Sequence, residues 1–380
     1  MNREYDVAMV GAGLAGLSLA VRLAALPNPP RILMIDPRTT YECDRTWCTW
    51  SVQSHPFVDC VSHRWPEWTV GSGKKSVVRR SERFAYQRIP SAVLYRKAQT
   101  LLAQAPSVTW ALGQSVVGLR ETPGLVQIDL SDGNSIEARQ VYDSRPPKIK
   151  STDGWRQIFY GLEIRCPQSS WDPGKVVLMD FQQANENGVR FFYVLPLSGD
   201  TFLVEDTWLC PPGKTPDFSD ADILSYASEK IGGSEWEILD REKGTIPMFA
   251  MPETSTGGRI TAIGTRGGAV RSSSGYAFTR IQQETDAIAA AYPSLPVAEN
   301  GTLFLKMMDT IFLNAVDNHP EHLPDYMYRL FQKVKPERLI RFMESCPNWL
   351  DRLAVMKALP LWPFLVAMMS TRPPTRSARS

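Results

Sequence analysis

Histidine is scarce in this 380-residue chain, with His 4, and the Cys 6 are scattered. No two cysteines form a CxxC pair and none joins a Cys/His cluster, so the spacings of a zinc site are missing. Pro320 separates His319 from His322, which favours a loop over a shared helix face. No metal is expected. Charge of one sign is lacking too: Lys+Arg 42 nearly offset Asp+Glu 40, leaving +2. Nucleic-acid binding, which needs a concentrated basic surface, has no support. No apolar run reaches the roughly 18 residues of a spanning helix. The nearest, ALPLWPFLVAMM at 358–369, is short and carries Pro360 and Pro363. The chain opens on Arg3, Glu4 and Asp6 rather than on a secretory pattern, which points to a cytoplasmic, reducing setting.

What is present in quantity is tryptophan, 11 residues. Large rigid aromatics suit a core, and they equally suit the wall of a pocket for a long apolar ligand. Residues 331–380 hold nine Lys/Arg against three Asp/Glu, interspersed with Trp, Phe, Leu and Met. Such a segment fits an anionic membrane surface or a helical cap with a frayed basic tail.

YDVAMVGAGLAGLSLAVRLA, residues 5–24, is the most specific local pattern. A short apolar strand at 5–10 is followed by Gly11, Gly13 and Gly16, then by a helical pattern up to the PNPP break. A second apolar strand, RILMIDP, ends on Asp36. Gly11 permits the tight turn, Gly13 the approach of a pyrophosphate, and Gly16 close helix–strand packing. The helix N-terminus offers N–H groups to phosphate, and Asp36 suits ribose hydroxyls. This GxGxxG has its strand, helix, second strand and terminal acid, and predicts a dinucleotide-binding α/β unit.

After Asp36 the repeat stops at TTYECDRTWCTW, so the pattern departs from the serial units of simple NAD enzymes. Residues 84–105 read as helix, and Asp132-Gly133 marks a hairpin turn. A strand then closes on Asp143. Antiparallel strands interrupting such a unit resemble FAD proteins more than dehydrogenases. Residues 156–207 read as antiparallel sheet, with strands at VVLMDF (176–181) and VRFFYVLPL (189–197). In TFLVEDTW, alternation puts Glu205 with Thr201, Leu203 and Thr207, and Asp206 with Phe202, Val204 and Trp208. The two carboxylates therefore point apart. Each is either a solvated strand edge or an acid at an apolar pocket, where desolvation favours the protonated form. Asp180, at the end of its strand, either supports such a site or stops the strand.

RITAIGTRGGAVRSSSGYAF, from 259, reads as strand, glycine-rich turn and a helix beginning near Gly275. Gly264, Gly267, Gly268 and Gly275 permit close backbone approach, and Ser272 and Ser274 are candidate caps. Arg266 and Arg271 suit either a phosphate or reduced flavin, or surface carboxylates. Segments 300–316, 323–334 and 336–359 read as helices.

Taken in order, VGAGLAG (10–16), RTWCTW (45–50), YVLPLSGDTFLVEDT (193–207), GTIPM (244–248) and GTRGGAVRSSSGYAF (264–278) resemble the flavin-dependent lycopene cyclases of bacteria and plants. The resemblance covers nearly the whole chain. It implies an α/β fold: an FAD-binding Rossmann-like portion at 1–150, an interleaved antiparallel-sheet substrate portion at 151–258, a return to the FAD-binding portion at 259–299, and a helical, membrane-associating region at 300–380. It implies reduced FAD as cofactor, NADPH as reductant, and redox-neutral closure of the ψ ends of lycopene into β- or ε-rings, with β-rings, giving γ- and β-carotene, as the main reading. The resemblance also implies a peripheral place on the cytoplasmic side of the membrane. The family's acid motif falls on Glu205, with Asp206 beside it. Its flavin-contact regions fall on Gly11, Gly13, Gly16, Asp36, Arg45, Asp143, Gly264, Gly268, Gly275 and Tyr276. Trp47, Trp50, Phe192, Tyr193 and Tyr276 are candidates to shield a cation with their π faces. Reduced flavin remains an alternative proton donor to Glu205. The chain departs from the family at Arg271–Ser274, where many members carry His–Pro or Pro–Thr. A flavin monooxygenase, a carotenoid or prenyl reductase, and a non-catalytic FAD-bound carotenoid carrier are the alternatives. Thr265, where flavin hydroxylases usually carry an acid, counts against the first.

Overall fold

The computed structural model describes residues 4–233, 235–250, 258–294 and 301–370. Strand Glu4–Val10 is apolar because both faces are covered, and it leads through Gly11–Gly13 into helix Leu14–Ala24. The next strand, Ile32–Asp36, pairs parallel with the first, in register Val7 to Ile32. The parallel set does not end there, as the sequence suggested. Strand Val108–Leu112 adds in parallel beside Ile32–Asp36, and Ser135–Asp143 adds on the other side of Glu4–Val10. Ile260–Ala262 then joins the end of Ser135–Asp143, also in parallel. The intervening Trp-rich segment leaves the sheet and the chain returns to it later. Sequence order conceals that return.

The second sheet runs Glu237–Pro247, Arg156–Arg165, Thr201–Cys210, Val189–Pro196, Lys175–Phe181, Glu67–Ser72 and Lys75–Arg80. It is antiparallel except where Lys175–Phe181 meets Glu67–Ser72. A small sheet of Thr46–Trp50, Tyr86–Pro90 and His63–Trp65 bridges the two. The helix expected over 84–105 is confined to Ser91–Ala103. The five residues before it pair with Thr46–Trp50 instead, and Pro90 marks the change from strand to helix. The hairpin expected at Asp132-Gly133 is present, with Gly133 at φ +85°.

One face of the second sheet is packed by helix Asp220–Lys230 and the other by C-terminal helices. Those helices are Gly301–Asn318, Leu323–Lys333, Pro336–Met343, Trp349–Ala358 and Leu361–Ser370. The single helix expected over 336–359 breaks after Met343, where Ser345 takes φ 62° and Pro347 follows. A capping box between Asn348 and Asp351 then restarts it. The run at 358–369 does form a helix, because Pro363 lies in its first turn, where a missing N–H costs nothing. The basic residues expected at 371–380 lie outside the described residues. Glu344 ties this region to the centre by accepting from the Thr49 hydroxyl (3.0 Å) and the Trp50 N–H (2.9 Å). Burial pushes its carboxyl up to about 7.

Candidate active site

A cavity of about 600 Å³ lies between the second sheet, the C-terminal helices and the late glycine loop. That size falls in the range of small-molecule pockets. The sheet wall is set by register, since residues directly opposite on neighbouring strands share a face. Tyr193 pairs with Glu205, Glu205 with Gly161, and Gly161 with Glu242, giving one transverse row. The next row is Phe191, Thr207, Phe159 and Gly244. Trp47, Cys48 and Tyr86 from the small sheet, and Phe312, Val316 and Met327 from the helices, close the space.

Glu205 lines this cavity. Burial, then the charge and hydrogen bond of Glu242, hold its carboxyl well above the ordinary carboxylate range. Glu242 is raised as well, chiefly by burial, but Glu205, Arg88 and Thr46 pull it back toward the ionised form. Both carboxyls are thus raised, and Glu242 is the one whose rise is opposed by a cation and by a hydroxyl. Tyr193, beside it, donates to the Tyr86 hydroxyl at 3.0 Å and stays neutral, its phenol raised by burial.

Asp206, expected next to Glu205 at the reacting centre, is turned to the opposite face and fully buried. Arg190 grips it with two bonds of 2.9 and 2.8 Å. The fork-on-carboxylate pairing satisfies the buried charge, so Asp206 serves this strand's packing. Phe192 shares that face and stacks on Tyr226 at 3.9 Å, and Trp50 is buried against Trp68 and Tyr86. Neither faces the cavity. Trp47, Tyr193 and Tyr276 do, together with Phe191, Phe159 and Trp155. Asp180 accepts from Tyr226 (2.9 Å) and pairs with Lys230 (2.8 Å), away from the cavity.

The glycine positions converge at the carboxyl end of the parallel strands. Gly11 takes φ +97°, and a Cβ on Gly16 would lie 2.1 Å from the Gly11 carbonyl oxygen. Around Gly13 a Cβ would meet nothing within 4 Å, and no side chain caps the helix there. Gly264, at φ +64°, is pressed so close to the same helix that its Cβ would lie 2.7 Å from Ala15 Cβ. The late loop thus touches the first glycine turn on one side and borders the cavity on the other. Gly268 and Gly275 also take positive φ, and Tyr276 lines the cavity.

Asp36 accepts from the Ala12 N–H at 2.6 Å and is paired with Arg38 at 2.9 Å. Asp143, at the end of its strand, is paired with Arg145 (2.7 Å) and Arg266 (3.1 Å). Arg45 stands at the cavity edge with a largely exposed guanidinium near Asp44. Arg271 reaches neither phosphate nor the surface: it is buried against Asp309 at 2.8 Å. The helix expected from Gly275 begins at Phe278, without a cap from Ser272 or Ser274. The turn is closed by backbone instead, the Arg271 N–H donating to Tyr276 O at 2.9 Å.

A family model described as "Lycopene cyclase protein" matches residues 6–370. The chain belongs to this family. One family relative, a lycopene beta-cyclase of Pantoea ananas, is 26% identical over 398 residues, 97% of this chain and 98% of the relative. Among solved structures, the fold is similar to a flavoprotein/dehydrogenase of Cytophaga hutchinsonii, with TM-score 0.64, 13% identity and coverage of 97% and 99%. It is also similar to a geranylgeranyl bacteriochlorophyll reductase-like protein of Thermoplasma acidophilum, with TM-score 0.59, 12% identity and coverage of 98% and 97%. The lycopene cyclase family is thus built on a flavoprotein-type α/β fold. Sequence reasoning missed Glu242 in this family member. Its only local signal is its place just before GTIPM, in a strand whose other charges face solvent.

Proposed function

We propose that this chain is a lycopene cyclase that closes the ψ ends of lycopene into β-rings, with Glu205 as proton donor. The observation that carries this reading is a carboxyl set in an aromatic and aliphatic cavity, where burial and a second carboxyl favour its protonated form. A terminal alkene is too weak a base for water to protonate usefully at neutral pH. Glu205 gives its proton to the CH carbon of the terminal alkene, forming a C–H bond and leaving a tertiary cation on the dimethyl-bearing carbon. The neighbouring double bond attacks that cation, forming the ring C–C bond. The Glu205 carboxylate then takes back a ring proton, and substrate and product are isomers. Trp47, Tyr193 and Tyr276 present π faces to the cation, worth roughly 0.5–2 kcal/mol each. The aliphatic wall keeps water from trapping it.

The residues fit FAD. The uncapped helix start, the open space at Gly13 and the Gly264 loop pressed on Ala15 form a cradle for a pyrophosphate and ring system. Gly11, Gly13, Gly16 and Asp36 would hold the nucleotide, and Gly264, Gly268, Gly275 and Tyr276 the ring portion, while Asp143 orients Arg145 and Arg266 near it. Arg45 would guard the entrance. Bound in reduced form, with NADPH as reductant, FAD supplies negative charge that stabilises the cation. The parallel strands and glycine turns of 1–150 and 259–299 would then serve the cofactor, and 151–258, joined by Trp47, Cys48, Tyr86 and the strands Glu67–Ser72 and Lys75–Arg80, the substrate.

Expression in a lycopene-accumulating host tests the reading: pigments should gain β-rings without changing mass. A second reading, reduction of a polyprenoid, is favoured by the likeness to the reductase-like structure, and would add hydrogen to the product. A hydroxylase would add oxygen, and a carrier would leave lycopene unchanged.

The apolar substrate also suits the outer surface of the C-terminal helices. Trp349 (66% exposed), Leu361 (73%), Trp362 (72%) and Met369 (74%) share it with Leu303 and Met307. No single described helix is long and apolar enough to cross a membrane, and the last two helices bend by 110°. This face lies on an anionic lipid surface, while the helix bearing Leu303 and Met307 also lines the cavity through Phe312 and Val316. Replacing Leu361 and Trp362 together by Glu should move the protein from the membrane to the soluble fraction. An unchanged distribution would defeat this placement.

A further inference from the structure

Gly161 sits between two acids that its own missing side chain allows to meet. A Cβ there would lie 2.9 Å from Glu205 Cγ and 3.2 Å from Glu242 Cγ, so both side chains lean over the same bare backbone. The strand register fixes this: Gly161 pairs with Glu205 on one side and with Glu242 on the other. Two carboxylates in such contact cannot both ionise without strong repulsion. The surroundings are unequal. Glu205 opens to the apolar cavity, whereas Glu242 feels the Arg88 guanidinium and takes a hydrogen bond from Thr46.

We infer that Glu242 is a positioning residue for Glu205, the two carboxyls sharing one proton across Gly161 with Glu242 as the anionic partner. The remaining groups around the pair are consistent with one shared proton. Cys48, raised to about 12 by burial, and Tyr193 carry no charge at neutral pH. Arg88 is shared with Glu163 at 3.7 Å, and Asp240 adds a more distant negative charge on the Glu242 strand. The role in the reaction, which rests on the cyclase reading, has two parts. Before the proton moves, the Glu242 anion accepts a hydrogen bond from Glu205 and keeps it neutral. Once the alkene has taken the proton, two carboxylates face each other, and Glu205 becomes a stronger base for the ring proton. The pair ends as it began.

The test follows the carboxylic C=O band of the flavin-loaded protein by infrared spectroscopy against pH, alongside the pH profile of lycopene conversion. The wild type should show a carboxyl that stays protonated at neutral pH, and Glu205→Gln should lack it. In Glu242→Gln the repulsion and the shared bond are gone, so the pKa of Glu205 falls. The band should titrate about one pH unit lower or more, and the alkaline limb of activity should move the same way. Gly161→Ala, which parts the carboxyls but keeps both, should shift the band in the same direction. A band and a limb that stay put in Glu242→Gln would overturn the pairing. A shifted band in a protein that never converts lycopene would uphold the pair and defeat the cyclase reading.

Discussion

Glu205→Gln is expected to lower lycopene cyclisation by at least about 10²–10⁴-fold, the range that a positioned general acid contributes. Gln keeps the shape of the side chain and its place in the row between Tyr193 and Gly161, so fold and flavin binding should persist. What disappears is the only step that makes the alkene electrophilic. Cys48 and Tyr193, close to it, are held neutral by burial and are far weaker acids. Glu242, also raised by burial, is pulled back toward the ionised form by Glu205, Arg88 and Thr46. Asp206→Asn makes the contrast. It weakens the buried pair with Arg190 on the other face, so it should lower stability while leaving the pH dependence of turnover in place. Unchanged turnover of purified Glu205→Gln would remove this residue from the chemistry.

Asp309→Ala should destabilise the protein by about 3–5 kcal/mol, the cost of leaving a buried ion unpaired. Arg271 is 1% exposed, and Asp309 meets it through Nε and Nη2 while also accepting from Ser273 at 2.7 Å. The same guanidinium donates to the Phe342 carbonyl and lies 4.2 Å over the Phe342 ring. Arg280 is near enough to feel both charges, and its guanidinium is lowered by burial, with Asp309 opposing that effect. Deleting the carboxylate therefore strands the buried Arg271 and takes one of two nearby negative charges from Arg280. The loss is spread across the join between the C-terminal helices and the loop carrying Gly275 and Tyr276. Denaturant unfolding should show the full loss in Asp309→Ala and an intermediate one in Asp309→Asn, which keeps a polar partner without the charge. A loss below about 1 kcal/mol would mean that the pair does not secure this join.

The parts of the fold that were legible in sequence are those whose causes are local. Gly11, Gly13 and Gly16 between two apolar strands dictate a strand–turn–helix–strand unit, and Asp132-Gly133 dictates its hairpin. Alternation placed Glu205 and Asp206 on opposite faces. Alternation could not say which face held the cavity, and so Asp206 and Phe192 were assigned to a site that the Asp220–Lys230 helix covers instead. Glu242 was silent because its meaning depends on Gly161, a residue that registers as an absence until the strands on either side are known. Arg271 reads as a ligand for phosphate or flavin, or for a surface carboxylate, because its buried partner, Asp309, comes from a later helix. The break at Ser345 depends on a positive φ in a non-glycine residue, and the strand at Tyr86–Pro90 on a partner at Thr46–Trp50. In each case the missing information was a contact between distant segments.

In the proposed reaction a carboxyl of this chain hands a solvent-exchangeable proton to an alkene, with no net oxidation or reduction. Conversion of lycopene by the purified, flavin-reduced protein in D₂O measures that directly by product mass. One deuterium should be gained for each ring formed, with no consumption of NADPH in step with the rings. A product carrying no deuterium, or one changed by added hydrogens or oxygen with matching NADPH use, would contradict it.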